Sequence, residues 1–335
     1  MANIAELFSQ KNVISYVNTR NLEETLGSKL FPSRKIEGLE FDVLKAGNRI
    51  PTIASVHAWD TEAEIASRVA SRSAQELAFI KRKIQLKEKD LIALRNPRTA
   101  EEQAYVEGEV YNDVNTMVSS VEARIEKMRM EVLANGKIEL NENGLNGLVV
   151  DYGVPAEHQA TVDWTAASAD ILGDLETWSD TLSVKPTRIL TSKKVRNLMV
   201  RNKAILALFK DAGMLPSKAN LNNLLESMDL PKIATYDAKY NVQGADGKYV
   251  QGRYFPEDKL VMMSDDLPGE TIYGVTPEES RLVAGGTKDI KVGNIFATVY
   301  ESGLDPVGTW TKAAATALPS FPQADNVFQA TVLKG

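Results

Sequence analysis

The sequence predicts an α+β protein. Three observations carry that expectation: period-two segments before residue 90, one very long helix-period stripe from Ala100 to Val132, and interspersed helices and strands after Gly136. At 335 residues the chain holds about two domains' worth of polypeptide, enough to bury a sizeable core.

The opening 38 residues set short apolar clusters (Ile4, Leu7 and Phe8, then Val13, Ile14, Tyr16 and Val17) among polar spacers and close on Leu30-Phe31-Pro32. Each cluster is too short to be its own core, so the segment reads as an arm that docks on the body of its own chain or on a neighbouring copy. From Leu39 the period becomes two, with Leu39, Phe41 and Val43 on one face and Glu40 and Asp42 on the other, as in a half-buried strand. A second strand runs through Ile80, Ile84 and Leu86, interleaved with Lys81, Lys83, Gln85 and Lys87. Between them lie Ala46 to Glu76, far more than the roughly 2–5 residues of a usual hairpin loop. The pair therefore reads as a long two-stranded projection or a functional loop. An isolated hairpin is marginal in water, so it calls for a partner surface, with a merely solvated hairpin as the plainer alternative. Its charge is polarised: Asp60, Glu62 and Glu64 lie on the outgoing limb, Lys81, Arg82, Lys83, Lys87 and Lys89 on the return.

The next segment is a helix. Asn96 suits the N-cap, Pro97 the first helical position, and Glu101 and Glu102 complement the positive end of the dipole. Ala100, Ala104, Val110, Val114, Met117, Val121, Ile125, Met128 and Val132 then recur at three- and four-residue steps until Asn135-Gly136 supplies a stop. About 39 residues would reach roughly 58 Å, against a radius of gyration of ~20 Å for a compact globule of this length. Such a strut suits an elongated plate that hides surface by assembling with copies of itself. A coiled coil is the alternative, although the stripe averages nearer 3.7 residues per turn than 3.5, as a rough count.

After Gly136 the expected elements are a helix through Ile171, Leu172, Leu175, Trp178 and Leu182, a strand Thr187 to Leu190, and a helix capped by Thr191 or Ser192 running through Val195, Leu198, Met199 and Leu206. A further helix spans Leu221 to Met228. Then come a strand from Ile233 to Tyr236, a hairpin turning at Asp246-Gly247, and the strand Leu260 to Met263. The tail from Ile290 is β-rich, clearest at Ile295 to Val299, and Pro306, Pro319 and Pro322 rule out helix there.

Composition narrows the function. Without cysteine there is no disulfide, thiolate metal site or cysteine nucleophile, and a reducing compartment is expected. His57 and His158 are the whole histidine complement, little from which to build a metal site or a serine–histidine triad. A net charge of −6 is the wrong sign for a protein that grips phosphates over a wide surface. Met1 to Gln10 has neither a basic leader nor an apolar run, and no stretch approaches the ~20 apolar residues of a membrane span, so a soluble cytoplasmic protein is expected, with no membrane partner.

Catalytic motifs are missing. There is no GxxxxGK followed by Ser or Thr, no GxGxxG after a strand, no HExxH and no GxSxG; Gly285-Gly286-Thr287-Lys288 reads as a loop. Asp265-Asp266 and Asp246-Gly247-Lys248 lack further ligands at cation-site offsets and read as turns. His57 beside Trp59 reads as an interface aromatic patch, and His158 after Pro155 as a solvated loop residue. The tryptophans Trp59, Trp164, Trp178 and Trp310 lack the basic interleaving of a single-strand platform and read as core or interface anchors. No catalytic, cofactor-binding or metal residue is assigned. An α/β enzyme acting through carboxylates would need an acid cluster that the sequence does not offer.

The order of parts resembles the major capsid proteins of tailed bacteriophages, of Hong Kong 97-type fold, and within them the lambda-like major capsid protein E family. The residues carrying the resemblance are Leu30-Phe31-Pro32 with Gly38-Leu39-Glu40-Phe41, the basic strand before Asn96-Pro97, Tyr254-Phe255-Pro256-Glu257-Asp258-Lys259-Leu260-Val261, and Asp305-Pro306-Val307-Gly308-Thr309-Trp310-Thr311-Lys312 leading to Leu318-Pro319. It covers nearly the whole chain; the stretch Asn141 to Leu230 is carried by pattern more than identity.

The resemblance implies an N-terminal arm (1–38), an extended loop overlapping a neighbouring subunit (39–90), the spine helix of a peripheral domain (91–136), an axial domain (137–275), and returning strands with a C-terminal tail (276–335). It implies a non-enzymatic subunit with no cofactor, assembled in the host cytoplasm into the icosahedral shell of a virion from hexamers and pentamers. Implied partners are copies of itself, a portal protein, any separate scaffold or decoration protein, and packaged double-stranded DNA contacted non-specifically. The chain starts at the arm, so a scaffold is expected to be a separate protein. An acidic wall confines DNA without trapping it. Some relatives join subunits by lysine–asparagine isopeptide bonds, but no matching set of residues is placed here. A cellular nanocompartment shell of the same fold is the alternative. Removing residues 1–20 is expected to impair assembly more than monomer folding.

Overall fold

A computed structural model describes residues 8–20, 24–44, 72–86, 99–140, 147–166, 168–244, 246–284, 292–302 and 308–333. The expectations at His57, Trp59, the acidic limb Asp60 to Glu64, Lys87, Lys89, Asn96-Pro97, Gly285 to Lys288 and Asp305 to Val307 lie outside the described residues.

In chain order the first elements are α1 (Gln10–Thr19), α2 (Leu26–Leu30), β1 (Ser33–Lys35), β2 (Glu40–Leu44), β3 (Arg72–Glu76), β4 (Ala78–Leu86) and α3 (Ala100–Asn135). There follow β5 (Lys137–Leu140), β6 (Leu148–Asp151), β7 (Gln159–Thr161), α4 (Ile171–Thr181), β8 (Arg188–Thr191), α5 (Lys193–Arg201), α6 (Lys203–Asp211) and α7 (Lys218–Ser227). The chain then forms β9 (Lys232–Thr235), β10 (Lys239–Gln243), β11 (Tyr249–Arg253), β12 (Lys259–Met263), β13 (Thr271–Gly274), α8 (Pro277–Ala284), β14 (Phe296–Ser302), β15 (Gly308–Pro319) and β16 (Phe328–Thr331). Helices and strands mix as expected of an α+β chain. Two compact units result: one from Met1–Phe41, Glu76–Glu126 and Thr271–Pro319, the other from Asp42–Gln75, Lys127–Glu270 and Ser320–Gly335.

The first unit is organised by β15, a twelve-residue strand buried along nearly its whole length. Its run of Ala313, Ala314, Ala315 and Ala317 is fully buried, small side chains that let neighbouring layers approach closely. One edge of β15 pairs antiparallel with β4, from Ala78 opposite Ala317 to Leu86 opposite Thr309. The other edge takes β14 and then β13, and β1 adds in parallel to β13. This corrects the expected pairing of the Leu39 strand with the Ile80–Leu86 strand: β2 pairs instead with β3. The return limb breaks at the buried Leu77, whose N–H donates to the Leu39 carbonyl at 2.9 Å. The physical reason is ladder length, because β15 gives β4 nine consecutive partners where β2 is five residues long. Leu39 precedes β2 and is exposed, while Phe41 is buried.

Helix α3 is continuous over 36 residues, about 54 Å at 1.5 Å per residue. Thr99 caps it, its Oγ1 accepting the Glu102 N–H at 3.1 Å. Gly136 follows at φ +68°, the left-handed stop that a glycine supplies without Cβ strain. Along the apolar stripe Ala104 is exposed, and among the described side chains of the helix burial starts at Val110. Val114, Met117, Val121 and Ile125 continue it on one side. From Met128 to Ala134, in the second unit, the helix is buried nearly all round, Arg129 included.

The second unit surrounds a five-stranded sheet of order β7-β16-β12-β8-β9. Its core joins α4, α5, α6 and α7 to that sheet through residues such as Leu175, Val195, Met199, Phe209 and Leu225. Trp164 stacks on Trp178 at 5.6 Å and Trp178 on Phe328 at 5.2 Å, so two of the four tryptophans are core anchors, as expected. The single helix expected through Leu206 is two. Asn202 leaves the helical region (φ −61°, ψ 138°) and recaps the chain, its Oδ1 accepting the N–H groups of Ala204 and Ile205. The anticipated hairpin is β10–β11, with Gly247 at φ +77° in the turn. His158 is buried, in a single helical turn over Ala156–His158, instead of the solvated position expected of it.

Candidate assembly surfaces

The arm docks on its own chain. Val13, Ile14 and Val17 of α1 are buried; Ile14 meets Val292 and Phe296, and Gln10 Nε2 donates to the Ala297 carbonyl at 2.7 Å. On α3, Tyr111 packs against Phe8 and Tyr16, the nearer ring centre at 4.5 Å. Arg20 donates to the Asn115 carbonyl at 3.0 Å and to Ser119 Oγ at 2.6 Å. Burial, followed by the charge of Glu107, raises the pKa of the Tyr111 hydroxyl above its ordinary value.

A second anchor fixes α2. Glu126 of α3 is fully buried and accepts from Thr25 Oγ1 at 2.5 Å and from the Gly27 N–H at 2.9 Å. A carboxylate at the start of a helix satisfies N–H groups that lack intrahelical partners. Gly27 leaves room for it: a Cβ there would stand 2.3 Å from Glu126 Oε2. Sequence reading missed this residue, though a lone acid between Ile125 and Met128 was the available signal. Beyond α2, Thr271 Oγ1 donates to the Phe31 carbonyl at 3.0 Å, holding the chain where β1 enters the sheet.

Strand β4 presents a basic outer face. Lys81 and Lys83 are exposed, Lys83 Nζ lies 4.1 Å from the centre of the Trp310 ring, and Arg82 on the alternate face reaches Ser120 Oγ at 3.3 Å. In the second unit, exposed apolar side chains include Val242, Tyr249 and Val250 on the β10–β11 hairpin, Leu208, Met214 and Leu215 around the end of α6, and Leu148 and Val149 on β6. Val242 stands directly opposite Val250. Among the described residues no three His, Cys, Asp or Glu side chains group to hold a metal ion, and no helix is long and apolar enough to cross a membrane. Asp246 serves its turn by accepting the Lys248 N–H at 3.1 Å.

Arm, two-stranded excursion, long helix, strand-rich returning segment and a second α/β unit together make the Hong Kong 97-type fold of phage capsid proteins. A prophage protein of Escherichia coli CFT073 described as a capsid protein shares this fold, with TM-score 0.65 at 13% identity over 96% of this chain and 98% of the other. A phage-related protein from Bordetella bronchiseptica RB50 does so at TM-score 0.55 and 12% identity, over 95% of each chain. The model of the family described as phage major capsid protein E matches residues 9–332, and the chain belongs to that family. It is a structural shell protein of the phage virion. No curated protein is similar enough to match.

Proposed function

We propose that this chain forms the closed icosahedral head of a tailed phage from hexamers and pentamers, around double-stranded DNA that it contacts non-specifically. The observation that carries this reading is the family match across residues 9–332. A portal protein takes part as a separate chain, as does any scaffold or decoration protein, and assembly takes place in the host cytoplasm. Residues 1–38 are the arm, 39–90 the extended loop over a neighbour, 91–136 the spine helix of the peripheral domain, 137–275 the axial domain meeting copies around the five- and six-fold axes, and 276–335 the returning strands and tail. The exposed apolar pair Val242 and Val250 supports a covered position for the β10–β11 hairpin, since a two-stranded hairpin is marginal alone. The wall acts mechanically, without catalysis or cofactor. Electron microscopy and size-exclusion chromatography of the expressed chain are expected to show closed particles or ring-shaped capsomers. A stable monomer under all conditions overturns the reading, and shells from the native source holding a cargo protein in place of DNA assign the chain to a nanocompartment.

A further inference from the structure

The second unit holds a cavity of about 880 Å³ whose wall contrasts with the acidic chain around it. Six cations line it against two carboxylates, Asp237 and Glu257. Both carboxylates are engaged: Arg253 Nη1 donates to Asp237 at 2.7 Å, Arg253 Nη2 pairs with Glu257 at 3.2 Å, and Lys194 Nζ reaches Glu257 at 3.0 Å. Asp237 also accepts the backbone N–H of Lys193, the first amide of α5, at 3.2 Å. Four cationic side chains remain, Lys193, Arg201, Lys203 and Lys239, with no carboxylate partner among the described residues. Lys239 reaches only the Gln251 side-chain oxygen, at 3.5 Å.

These four come from the start and end of α5, the start of α6 and the start of β10, so the fold gathers them around one concavity. The break at Asn202 matters here, because it sets Arg201 and Lys203 on either side of a sharp turn facing the same space. Uncompensated like charges around a concave wall raise a positive potential that a multiply charged anion relieves. The volume falls in the range of small-ligand pockets, and Leu198 and Ala166 add an apolar part to the wall.

We propose that this cavity binds a polyphosphate anion, two or more neighbouring phosphates presented by free polyphosphate or by the backbone of an unpaired nucleic-acid strand. Linked phosphates deliver adjacent charges in a small volume and accept from ammonium groups as from point charges. An extended acidic peptide turns alternate side chains away and fills the space with backbone. The site is independent of the shell reading except for the nucleic-acid source.

The test is titration of the full-length chain at low salt with tripolyphosphate, with a poly-dT oligonucleotide and poly-glutamate as competitors. Wild type is expected to bind tripolyphosphate saturably, weakening as salt rises. The Arg201→Ala/Lys203→Ala variant is expected to bind roughly twofold to thirtyfold more weakly, as loss of two exposed ion pairs implies. Both residues are exposed, so folding is unaffected. A Lys185→Ala/Lys232→Ala control removes two exposed lysines paired elsewhere in the unit, to Asp229 and Glu226, and is expected to bind as wild type. Displacement by the oligonucleotide identifies a nucleic-acid backbone as the source; its failure to displace identifies free polyphosphate. No saturable tripolyphosphate binding, equal losses in the control, or poly-glutamate outcompeting tripolyphosphate overturns the proposal. Because binding is read on the chain in solution, the result stands whether or not particles form.

Discussion

Replacing Glu126 by alanine tests how the arm is held. The carboxylate is fully buried and accepts at least two hydrogen bonds, from Thr25 Oγ1 and the Gly27 N–H. Hydrogen bonds to a charged group contribute about 1.5–3 kcal/mol each, so two amount to roughly 3–6 kcal/mol. Removing the buried charge also removes its desolvation cost, which offsets part of that loss. Glu126→Ala is therefore expected to destabilise the chain by about 3–5 kcal/mol, a large share of a typical total stability of about 5–15. Glu126→Gln keeps an oxygen for the Gly27 N–H and turns an amide donor toward the Thr25 hydroxyl, so it should cost only about 1–2 kcal/mol. Glu109→Ala, an exposed position on the same helix, is expected to stay within about 0.5 kcal/mol of wild type. Urea unfolding followed by circular dichroism gives the energies, and hydrogen exchange at Gly27 and Ser28 shows where protection is lost. If the alanine variant unfolds within about 0.5 kcal/mol of wild type with unchanged exchange at those amides, the anchor reasoning is wrong.

Four further outcomes are expected. Val121→Asp puts a charge at a position 1% exposed and should abolish soluble folded protein, while Ala104→Asp, on the same predicted stripe but exposed, should give normal yield; similar yields would mean the buried side of α3 is misassigned. Gly136→Ala forces a side chain onto φ +68° with its Cβ 2.6 Å from Val154 Cγ2, a cost of about 2–4 kcal/mol from backbone strain plus overpacking, which a thermal melt would register. Burial pushes the Tyr152 hydroxyl well above the ordinary tyrosine range, so above roughly pH 10 the unfolded chain releases a proton that the folded one keeps, and stability falls as pH rises. Tyr152→Phe should flatten that alkaline loss by up to about 1.4 kcal/mol per pH unit, and an unchanged slope in urea unfolding would count against the burial assignment. Deleting residues 1–20 removes four buried side chains, Phe8, Val13, Ile14 and Val17, each contributing about 1.5–3 kcal/mol. Monomer folding should then fail together with assembly, contrary to the expectation from sequence; a stable truncated monomer would restore the view of the arm as an assembly device alone.

Much of the fold was legible before any coordinates. The stop at Gly136, the helices around Leu175 and Leu221, the strand Leu260 to Met263 and the Asp246-Gly247 turn depend on period, caps and backbone freedom, which act over a few residues. Asn202 escaped because an asparagine within an apolar period reads as a tolerated polar residue until its side chain is seen bonding to Ala204, Ile205 and the Ala169 carbonyl. His158 escaped because its burial depends on neighbours distant in the chain.

The sequence by itself determined the most periodic segments, such as α3, α4, α7 and β12, that α3 is long, and, through residues such as Tyr254 to Val261 and Asp305 to Lys312, the resemblance to the capsid family. Tertiary structure decided which strands pair and which charges meet. Period two tells a strand which face to bury but not which edge to join, so only the nine-residue ladder with β15 could take β4 from β2. The same holds for Glu126 under Thr25 and Gly27 and for the cations around the second unit's cavity: contacts across many tens of residues are set by packing, and local pattern does not encode them.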